Sequence, residues 1–392
     1  MSGAGPTAPW LPPPVPVDAR RSRPGVGTVL AAVVLGVLTL VAVGLVGFMV
    51  GPPAFPVATV LALVPLAAVL GTVLWVDRWE PEPWPALAVA FGWGASVSVL
   101  VALVINSGAQ TALLVVGLDD LRAGALTATV VAPVVEEGIK ALGVLLLFLV
   151  WRRWFDGPVD GVVYAATVAA GFAFVENILY FGQAVSESAA VADGGEAVAV
   201  VFVLRAVMSP FAHVVFTAAV GLALGWAARR SAGAWIGAFV GGLVVAVALH
   251  ALWNGSATLG TDASFVSVYV TVQVPLFLAA VGLVVWLRRA EARLVREELA
   301  RYAAAGWLAP QELRMLTSLP ARRAARRWAR DRGGVRAVAA MRMFQGTASR
   351  LAHHRHRVAT DRARWWAGRD DEAALLAELD LLRQELRRRL AV

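Results

Sequence analysis

The stretch VGTVLAAVVLGVLTLVAVGLVGFMV, residues 26–50, is 25 residues long and carries no charged side chain. A helix needs roughly 20 apolar residues to cross a hydrocarbon core of about 30 Å. A signal peptide is the alternative, because Arg20, Arg21 and Arg23 precede the stretch, but the apolar part of a signal peptide has only about 7–15 residues. Further apolar stretches also follow. We therefore predict a first membrane span at Val26–Val50.

Stretches of similar length and character recur along the chain. They lie at Ala54–Val76, Pro85–Ile105, Ala125–Trp151, Val159–Val185, Ala197–Ala228, Ala232–Asn254 and Phe265–Leu287. The whole chain is 59% hydrophobic and 16% charged, whereas soluble domains are about 25% charged. These features predict an all-α, polytopic membrane bundle of about eight transmembrane helices. Ala109–Gly117 is too short to cross, so we predict a re-entrant or interfacial segment there.

Composition divides the chain into three parts. Residues 1–25 are rich in proline and predict a disordered arm. Residues 26–287 form the predicted membrane domain, with its polar motifs between residues 125 and 254. Residues 288–392 contain 24 arginines against 12 acidic residues and predict a basic, helical tail. The chain has no cysteine, which excludes disulfides and cysteine-based metal or nucleophile sites.

Loop charges predict the orientation of the chain. Arginines expected on one side of the membrane are Arg20, Arg21, Arg23, Arg78, Arg152, Arg153, Arg229 and Arg230. Arg122 alone lies in the loops of the other side, and Arg205 is expected to extend from the sixth span to that surface. Because basic loops stay in the cytoplasm, we predict a multi-pass plasma-membrane protein with both termini cytoplasmic.

Several ionisable residues lie inside predicted spans. They are Glu136, Glu137, Lys140, Glu176, His213 and His250, spread over four successive spans. A charged side chain at mid-bilayer costs about 3 kcal/mol on insertion scales, so such residues usually have a function. Polar stripes on four helices can meet only inside the bundle. The other histidines, His353, His354 and His356, lie in the tail and are predicted to be solvated.

Prolines accompany two of these stripes. Pro133 and Pro210 each lie three residues before an ionisable residue, Glu136 and His213 respectively. A proline removes one backbone hydrogen bond and can kink the helix, and the freed carbonyls can line an aqueous cavity. The structural alternative is that Glu136 and Lys140 merely neutralise each other, and that Asn254 joins two helices.

A buried glutamate–histidine cluster suits three kinds of chemistry. It can activate water for hydrolysis, hold a divalent metal, or relay protons in a transporter. The His-Glu-x-x-His pattern of zincin-type metallopeptidases is absent. A proton- or cation-coupled transporter is the main alternative to a hydrolase, although no internal repeat typical of transporters is visible.

Four motifs, one per helix and in order, carry a family resemblance. They are EEGIK at residues 136–140, GFAFVEN at 171–177, the segment around His213, and HALWN at 250–254. This pattern resembles the PrsW family of intramembrane peptidases, which is related to the CAAX-prenyl endopeptidases. The resemblance covers residues 125–254 and leaves out the proline-rich arm and the basic tail.

The resemblance implies hydrolysis of peptide bonds within or beside the membrane. Glu136 or Glu137 would then be the general base on a water molecule, with His213 and His250 positioning it. Asn254 would donate to the oxyanion, where one such donor is worth about 3 kcal/mol. The implied supporting residues are Lys140, Glu176 and Asn177.

The resemblance leaves the cofactor open. Glu137, His213 and His250 could hold Zn²⁺ with an open water position, or a metal-free glutamate–histidine pair could act, as proposed for the CAAX-prenyl relatives. The implied substrate is a membrane-anchored protein, which the sequence does not identify further. The tail would suit anionic lipid headgroups. It shows no nucleic-acid reader motif, and nothing in the sequence indicates the oligomeric state.

Overall fold

The structure is a computed structural model that describes residues 26–152, 155, 157–191, 194–228, 230, 232–360 and 365–390. The predicted N-terminal arm, residues 1–25, lies outside the described residues. Every regular element in the described part is a helix. The helices are α1 Val26–Val50, α2 Phe55–Val76, α3 Trp84–Trp93, α4 Val99–Val115, α5 Asp120–Leu126, α6 Ala132–Val150, α7 Pro158–Val191, α8 Glu196–Phe202, α9 Ala212–Ala227, α10 Ala232–Thr258, α11 Asp262–Val268, α12 Val274–Ala304, α13 Pro310–Leu316, α14 Leu319–Thr360 and α15 Trp365–Leu390.

Four π-helical turns interrupt this series. They lie at Gly94–Ser98, Thr127–Val131, Val203–Met208 and Tyr269–Gln273. Three of them join α3 to α4, α5 to α6, and α11 to α12, so that each pair forms one continuous helix. The turn after α8 differs, because the chain leaves helical geometry at Ser209 before α9 begins. Pro210 therefore breaks the predicted sixth span into two helices instead of merely kinking it.

Seven helices among the described residues are long and apolar enough to cross a membrane, judged by length and composition. They span Val29–Val50, Phe55–Val76, Trp84–Val115, Pro158–Val191, Glu196–Ala227, Gly233–Thr258 and Ala263–Ala304. The stretch Glu196–Ala227 takes α8 and α9 together across the break at Ser209. The remaining predicted span lies in the continuous α5–α6 helix, which carries Glu136, Glu137 and Lys140 and is therefore less apolar. The predicted all-α, polytopic membrane bundle is confirmed.

The prediction of a separate re-entrant segment at Ala109–Gly117 was wrong. Residues up to Val115 belong to α4, which continues from α3 as one helix of 32 residues. The prediction rested on the short length of this stretch, which follows Gly108 and the polar residues Asn106 and Ser107. An isolated glycine inside a helix costs only about 1 kcal/mol, however, and neighbouring residues maintain the helix.

Helix α7 forms the core of the membrane unit. In the most apolar 18-residue stretch of α7, 78% of the residues are buried, compared with 6% in the corresponding stretch of Glu196–Ala227. Two glycines let the backbones of α7 and α9 meet. A Cβ on Gly161 would lie 1.9 Å from the carbonyl oxygen of Gly221, and a Cβ on Gly221 would lie 2.0 Å from that of Gly161. This contact fixes α9, which carries His213, against α7, which carries Glu176.

Contacts between Cα atoms divide the chain into two units. Of the described residues, one unit comprises those in 26–78 and 82–287, and the other those in 79–81 and 288–390. In the second unit, α13, α14 and α15 enclose a core that includes Leu379, Leu382 and Leu386. These leucines recur at spacings of three and four residues along α15, so they share the face of this helix that is buried.

The prediction that the tail histidines are solvated was wrong for two of the three. His353 and His354 are each only 7% exposed, whereas the His356 side chain is 39% exposed. The surrounding arginines suggested a surface. Within the second unit, however, His353 Nδ1 lies 2.8 Å from the Glu80 carboxylate, and Glu80 comes from the short 79–81 segment. Local composition could not indicate a partner more than 270 residues away.

Candidate functional site

Helix α6 brings three charged side chains into the interior of the membrane unit. Glu137 and Lys140 are completely buried, and Glu136 is 6% exposed. The ammonium of Lys140 lies 2.6 Å from Glu137 Oε1 and 4.0 Å from Glu136 Oε2. It also lies 4.1 Å from the centre of the Phe172 ring on α7. A single lysine thus partly neutralises two neighbouring carboxylates.

Glu137 uses both carboxylate oxygens for contacts with other helices. Its Oε1 accepts from Lys140 and lies 3.0 Å from His250 Nδ1 on α10. Its Oε2 accepts a hydrogen bond of 2.9 Å from the Thr217 hydroxyl on α9. Glu137 therefore joins three helices through one carboxylate. Such a contact fixes the His250 ring with Nδ1 as donor and leaves Nε2 as the free acceptor nitrogen.

His213 lies in the first turn of α9, directly after the Pro210 break. Its Nε2 is 2.9 Å from Glu176 Oε2 on α7, and its Nδ1 is 3.2 Å from Lys140 Nζ. An ammonium can only donate, so Nδ1 accepts from Lys140 and Nε2–H donates to Glu176. The two imidazole rings of His213 and His250 meet edge to face, with centroids 5.2 Å apart.

Arg205 belongs to this cluster, and the prediction that it extends to the surface was wrong. Its guanidinium pairs with the Glu176 carboxylate, and its Nε donates 2.8 Å to the side-chain oxygen of Asn177. It also lies over the Tyr180 ring, 4.2 Å from the ring centre. The π-turn at Val203–Met208 places Arg205 on this face. A regular helical period could not reveal that rotation.

Glu136 is the carboxylate of the cluster that has an oxygen without a hydrogen bond. Its Oε1 accepts a hydrogen bond of 3.2 Å from the amide of Asn106 on α4, a residue that sequence reasoning missed. Its Oε2 is buried and accepts no hydrogen bond from any described residue. The same oxygen lies 3.9 Å from His250 Nε2. A buried oxygen without a donor costs about 1–3 kcal/mol or more, and such a cost calls for a functional explanation.

Asn254 lies one turn beyond His250 on α10, and its side-chain amide contacts the backbone of the π-turn before α6. The Ala132 N–H donates five residues back to the Thr127 carbonyl. With the same spacing of five residues, the Ala128 carbonyl would accept from the N–H of residue 133. Residue 133 is a proline and has no N–H, so this bond cannot form. Asn254 Nδ2 supplies the missing donor at 2.8 Å. This contact uses one of the two protons on Nδ2.

The cluster has an unbalanced formal charge. With both histidines neutral, the carboxylates of Glu136, Glu137 and Glu176 face only Lys140 and Arg205. A buried charge without a partner is costly. The formal charge is −1, so one proton would balance the site, and a divalent ion would change the charge to +1.

A metal ion fits this geometry. Glu136, His213 and His250 each offer a ligand atom, all within 4.8 Å of one another, and all three residues are buried. Glu136 Oε2 and His250 Nε2 have no donor in the described structure, whereas His213 Nδ1 is shared with Lys140. Three protein ligands with an open position is the usual arrangement of catalytic zinc.

The structure brings the predicted site residues together on four helices. Glu136, Glu137 and Lys140 come from α6, Glu176 and Asn177 from α7, His213 from α9, and His250 and Asn254 from α10. Asn106, Arg205 and Thr217 complete the cluster. Thr217 shares a helical row with His213, and Asn106 is a lone amide in an apolar span, so both had a weak sequence signal.

Comparison with known proteins identifies the family. A family model described as "PrsW family intramembrane metalloprotease" matches residues 82–280, slightly more than half of the chain. The chain belongs to the PrsW family of intramembrane metalloproteases. The matched segment contains every residue of the buried cluster described above. The basic tail from residue 288 lies outside the matched segment.

Two curated relatives agree with this assignment. Protease PrsW of Clostridioides difficile (strain 630) is 34% identical over 161 residues, covering 41% of this chain and 62% of the relative. Protease PrsW of Geobacillus kaustophilus (strain HTA426) is 34% identical over 94 residues, covering 24% of this chain and 36% of the relative. The chain thus spans less than two thirds of each relative. No solved structure matches it significantly.

Proposed function

We propose that this protein is an intramembrane peptidase whose water-activating group is Glu136. The observation that carries the proposal is the buried Glu136 Oε2, which accepts no hydrogen bond from any described residue. It belongs to a group of one carboxylate and two imidazoles whose ligand atoms lie within 4.8 Å of one another. Membership of a protease family supports peptide-bond hydrolysis as the reaction.

In the proposed reaction Glu136 accepts a proton from a water molecule as its oxygen attacks the carbonyl carbon of the peptide. The carbon–nitrogen bond then breaks, and the same proton passes to the leaving nitrogen. A positioned general base typically contributes about 10²- to 10⁴-fold to the rate. Its position beside His250 Nε2, 3.9 Å away, allows both groups to contact the same water.

The other residues of the cluster hold these groups in place. Glu137 fixes His250 through Nδ1, Lys140 neutralises Glu137, and Glu176 orients His213. We propose that Asn177 holds Arg205 against Glu176. The second proton on Asn254 Nδ2 is available for the oxyanion, while the first secures the π-turn.

We propose Zn²⁺ as the cofactor, held by His213, His250 and one oxygen of Glu136, whose other oxygen would remain to accept the proton of the water. The sequence-based set named Glu137 in place of Glu136, but the oxygens of Glu137 already bind other side chains. When bound, zinc would polarise the peptide carbonyl and lower the pKa of a water ligand. Lys140 Nζ lies 3.2 Å from His213 Nδ1, so an ion held through that nitrogen would displace this contact.

We further propose that the substrate is a membrane-anchored protein, because the site lies inside a bundle of membrane-spanning helices. The arginine distribution supports a plasma-membrane location with both termini in the cytoplasm. The excess of arginine in the tail suits contact with anionic headgroups. The transporter alternative gains no support from the comparisons, since the family and both relatives are proteases.

The test uses full-length protein in lipid nanodiscs and a panel of single-span reporter peptides. Wild type should cleave at least one reporter, and chelation should abolish cleavage. Glu136→Gln and His250→Ala should each lower the rate by about 10²-fold or more. The matched control is Asp120→Asn, the same carboxylate-to-amide change at an exposed position of α5, which should cleave like wild type. Undiminished cleavage by Glu136→Gln would remove this residue from the mechanism.

A further inference from the structure

A cavity of about 230 Å³ lies beside the site, between the α8–α9 break, α10 and the turn that joins α11 to α12. Its walls are almost entirely apolar. The inner wall includes Phe216 and Trp253, and the outer wall includes Val207, Leu252 and Phe277. An apolar cavity of about 150 Å³ is enough to bind benzene. The cavity is therefore large enough for one bulky apolar side chain.

Phe216 forms a common wall between the cavity and the site. Its ring stacks on the His250 ring with centroids 5.0 Å apart, and Phe216 is only 6% exposed. Leu249, directly before His250, also lines the cavity. A side chain in the cavity would thus lie one ring thickness from a proposed catalytic group.

The outer rim of the cavity faces away from the bundle. Val207 is 64% exposed, Phe277 39% and Leu252 38%. All three belong to segments that are long and apolar enough to cross a membrane, so we expect this rim to border the lipid. An apolar side chain of a membrane-embedded segment can reach the cavity from the bilayer without crossing water.

One wall also carries a buried acceptor. Gln273 lies in the π-turn Tyr269–Gln273, and its Nε2 donates to Ser256 Oγ at 2.7 Å. Its Oε1 is buried and receives no hydrogen bond from any described residue. A peptide must unwind to be cut, and its freed backbone N–H groups need acceptors inside the bilayer. Gln273 Oε1 offers one such acceptor.

We propose that this cavity is a substrate subsite. It takes a large apolar side chain, such as leucine or phenylalanine, next to the bond that is cut, while Gln273 accepts a hydrogen bond from the unwound substrate backbone. The proposal rests on the proposed peptidase function and adds a specificity determinant to it. The preferred substrate class is accordingly a membrane segment with a bulky apolar residue near the cleavage position.

The first test changes the size of the cavity in opposite directions. Reporters carry Ala, Leu, Phe or Trp at each position around the cleaved bond. Wild type should prefer Leu or Phe over Ala at one position by about 10-fold or more. Ala212→Phe, which fills the cavity, should shift that preference to Ala, and Phe277→Ala should extend it to Trp. Unchanged preferences in both variants would overturn the proposal.

The control and the acceptor are tested with the same reporters. Ala218→Phe adds the same bulk to α9 away from the cavity lining and should keep the wild-type preference. Gln273→Leu should lower cleavage of all reporters about fivefold without changing the preference, as expected for one lost hydrogen bond. An unchanged rate in Gln273→Leu would remove the acceptor from the proposal.

A binding test separates this proposal from the proposed function. Single-span peptides with photo-leucine at the preferred position, or at successive positions if nothing is cleaved, are cross-linked to Glu136→Gln protein. Labels on the walls of the cavity, among them Leu252 and Trp253, would support the subsite even if wild type cleaved no reporter. Labels confined to other surfaces would overturn it even if cleavage occurred. Ala212→Phe should abolish the labels on the cavity walls.

Discussion

The protein buries histidines in two places, and the two clusters differ in how their groups are arranged. In the membrane unit, His250 contacts Glu137, His213 contacts Glu176, and the two imidazole rings meet edge to face. In the unit that contains the basic tail, the single imidazole of His353 lies between two carboxylates. Its Nδ1 is 2.8 Å from Glu80, and its Nε2 is 3.9 Å from Glu291.

Burial and ion pairing are therefore common to both clusters and do not identify a functional site. Convergence does. Of the part of the chain that the structure describes, only the membrane cluster brings three possible ligand atoms within 4.8 Å of one another. In the tail unit the nearby Arg322 donates to the Leu316 and Trp79 carbonyls and to the Ser349 hydroxyl, which fastens segments together. We infer a structural role for the tail cluster.

The largest expected difference concerns the rate of cleavage. Glu136→Gln and Glu291→Gln make the same change at a buried carboxylate, one in each cluster. The first should lower reporter cleavage by about 10²- to 10⁴-fold, because a general base is lost. The second should leave the rate within about twofold of wild type, because a structural group acts only through stability. Equal losses in both variants would show that the two clusters do not differ in function.

Metal affinity should separate the clusters next. Glu137 holds His250 Nδ1, and loss of such a supporting carboxylate typically weakens metal binding about 10- to 100-fold. Glu137→Gln protein should therefore bind Zn²⁺ more weakly by that factor in a competition titration with a chromogenic chelator. His353→Gln in the tail cluster should bind like wild type. If zinc affinity changed in His353→Gln but not in Glu137→Gln, the metal would bind at the tail cluster, contrary to the proposal.

The tail cluster should instead determine a pH-dependent stability. Burial alone would lower the pKa of His353, but the Glu80 carboxylate outweighs it and raises that pKa from 6.5 to about 9. A raised pKa in the folded state stabilises the fold fully below pH 6.5, and this stabilisation is lost as the pH rises through about 9. The contribution is about 3 kcal/mol at most, since tenfold tighter proton binding is worth about 1.4 kcal/mol.

Hydrogen exchange of the α14 segment around His353 measures this effect. After correction for the intrinsic pH dependence of amide exchange, protection should fall between pH 6.5 and 9 in wild type. In His353→Gln protein the protection should be lower at pH 6.5 and its fall smaller. A residual fall is expected because burial raises the pKa of Glu291 to about 7. A wild-type profile without this fall would contradict the assigned role of His353.

The smallest effect is expected at the helix contact made by Asn254. Asn254→Ala removes the donor to the Ala128 carbonyl, and interhelical hydrogen bonds in membrane proteins average about 0.6 kcal/mol. Unfolding in mixed micelles with increasing sodium dodecyl sulfate should show a destabilisation of about that size. Thr271→Ala, which removes an exposed bond within its own helix, should change stability less. A change above about 2 kcal/mol would mean that the π-turn depends on Asn254 more than this single bond explains.

Much of the membrane unit could be predicted from the sequence. The apolar stretches are long enough to determine helices by themselves, and charges inside them point to the bundle interior because lipid excludes them. The same argument predicted that Glu136, His213 and His250 lie close together, since polar stripes on neighbouring helices have no other place to meet.

The remainder depends on contacts that local patterns do not encode. Arg205 was expected to extend to the surface because its side chain is long, but it lies in the π-turn Val203–Met208 and pairs with Glu176. The partner of Asn254 depends on a carbonyl that only a π-turn followed by Pro133 leaves free. Burial of His353 depends on a loop residue far away in sequence. Such tertiary contacts override local composition.

Hydrolysis in water labelled with heavy oxygen tests the central claim most directly. Wild-type protein and a cleavable single-span reporter are incubated in that water, and the products are weighed by mass spectrometry. The account predicts one heavy oxygen in the new carboxyl terminus for wild type and at least a hundredfold less of this product for Glu136→Gln. Labelled product formed by Glu136→Gln at the wild-type rate would contradict it, and so would cleavage by wild type without incorporation of the label.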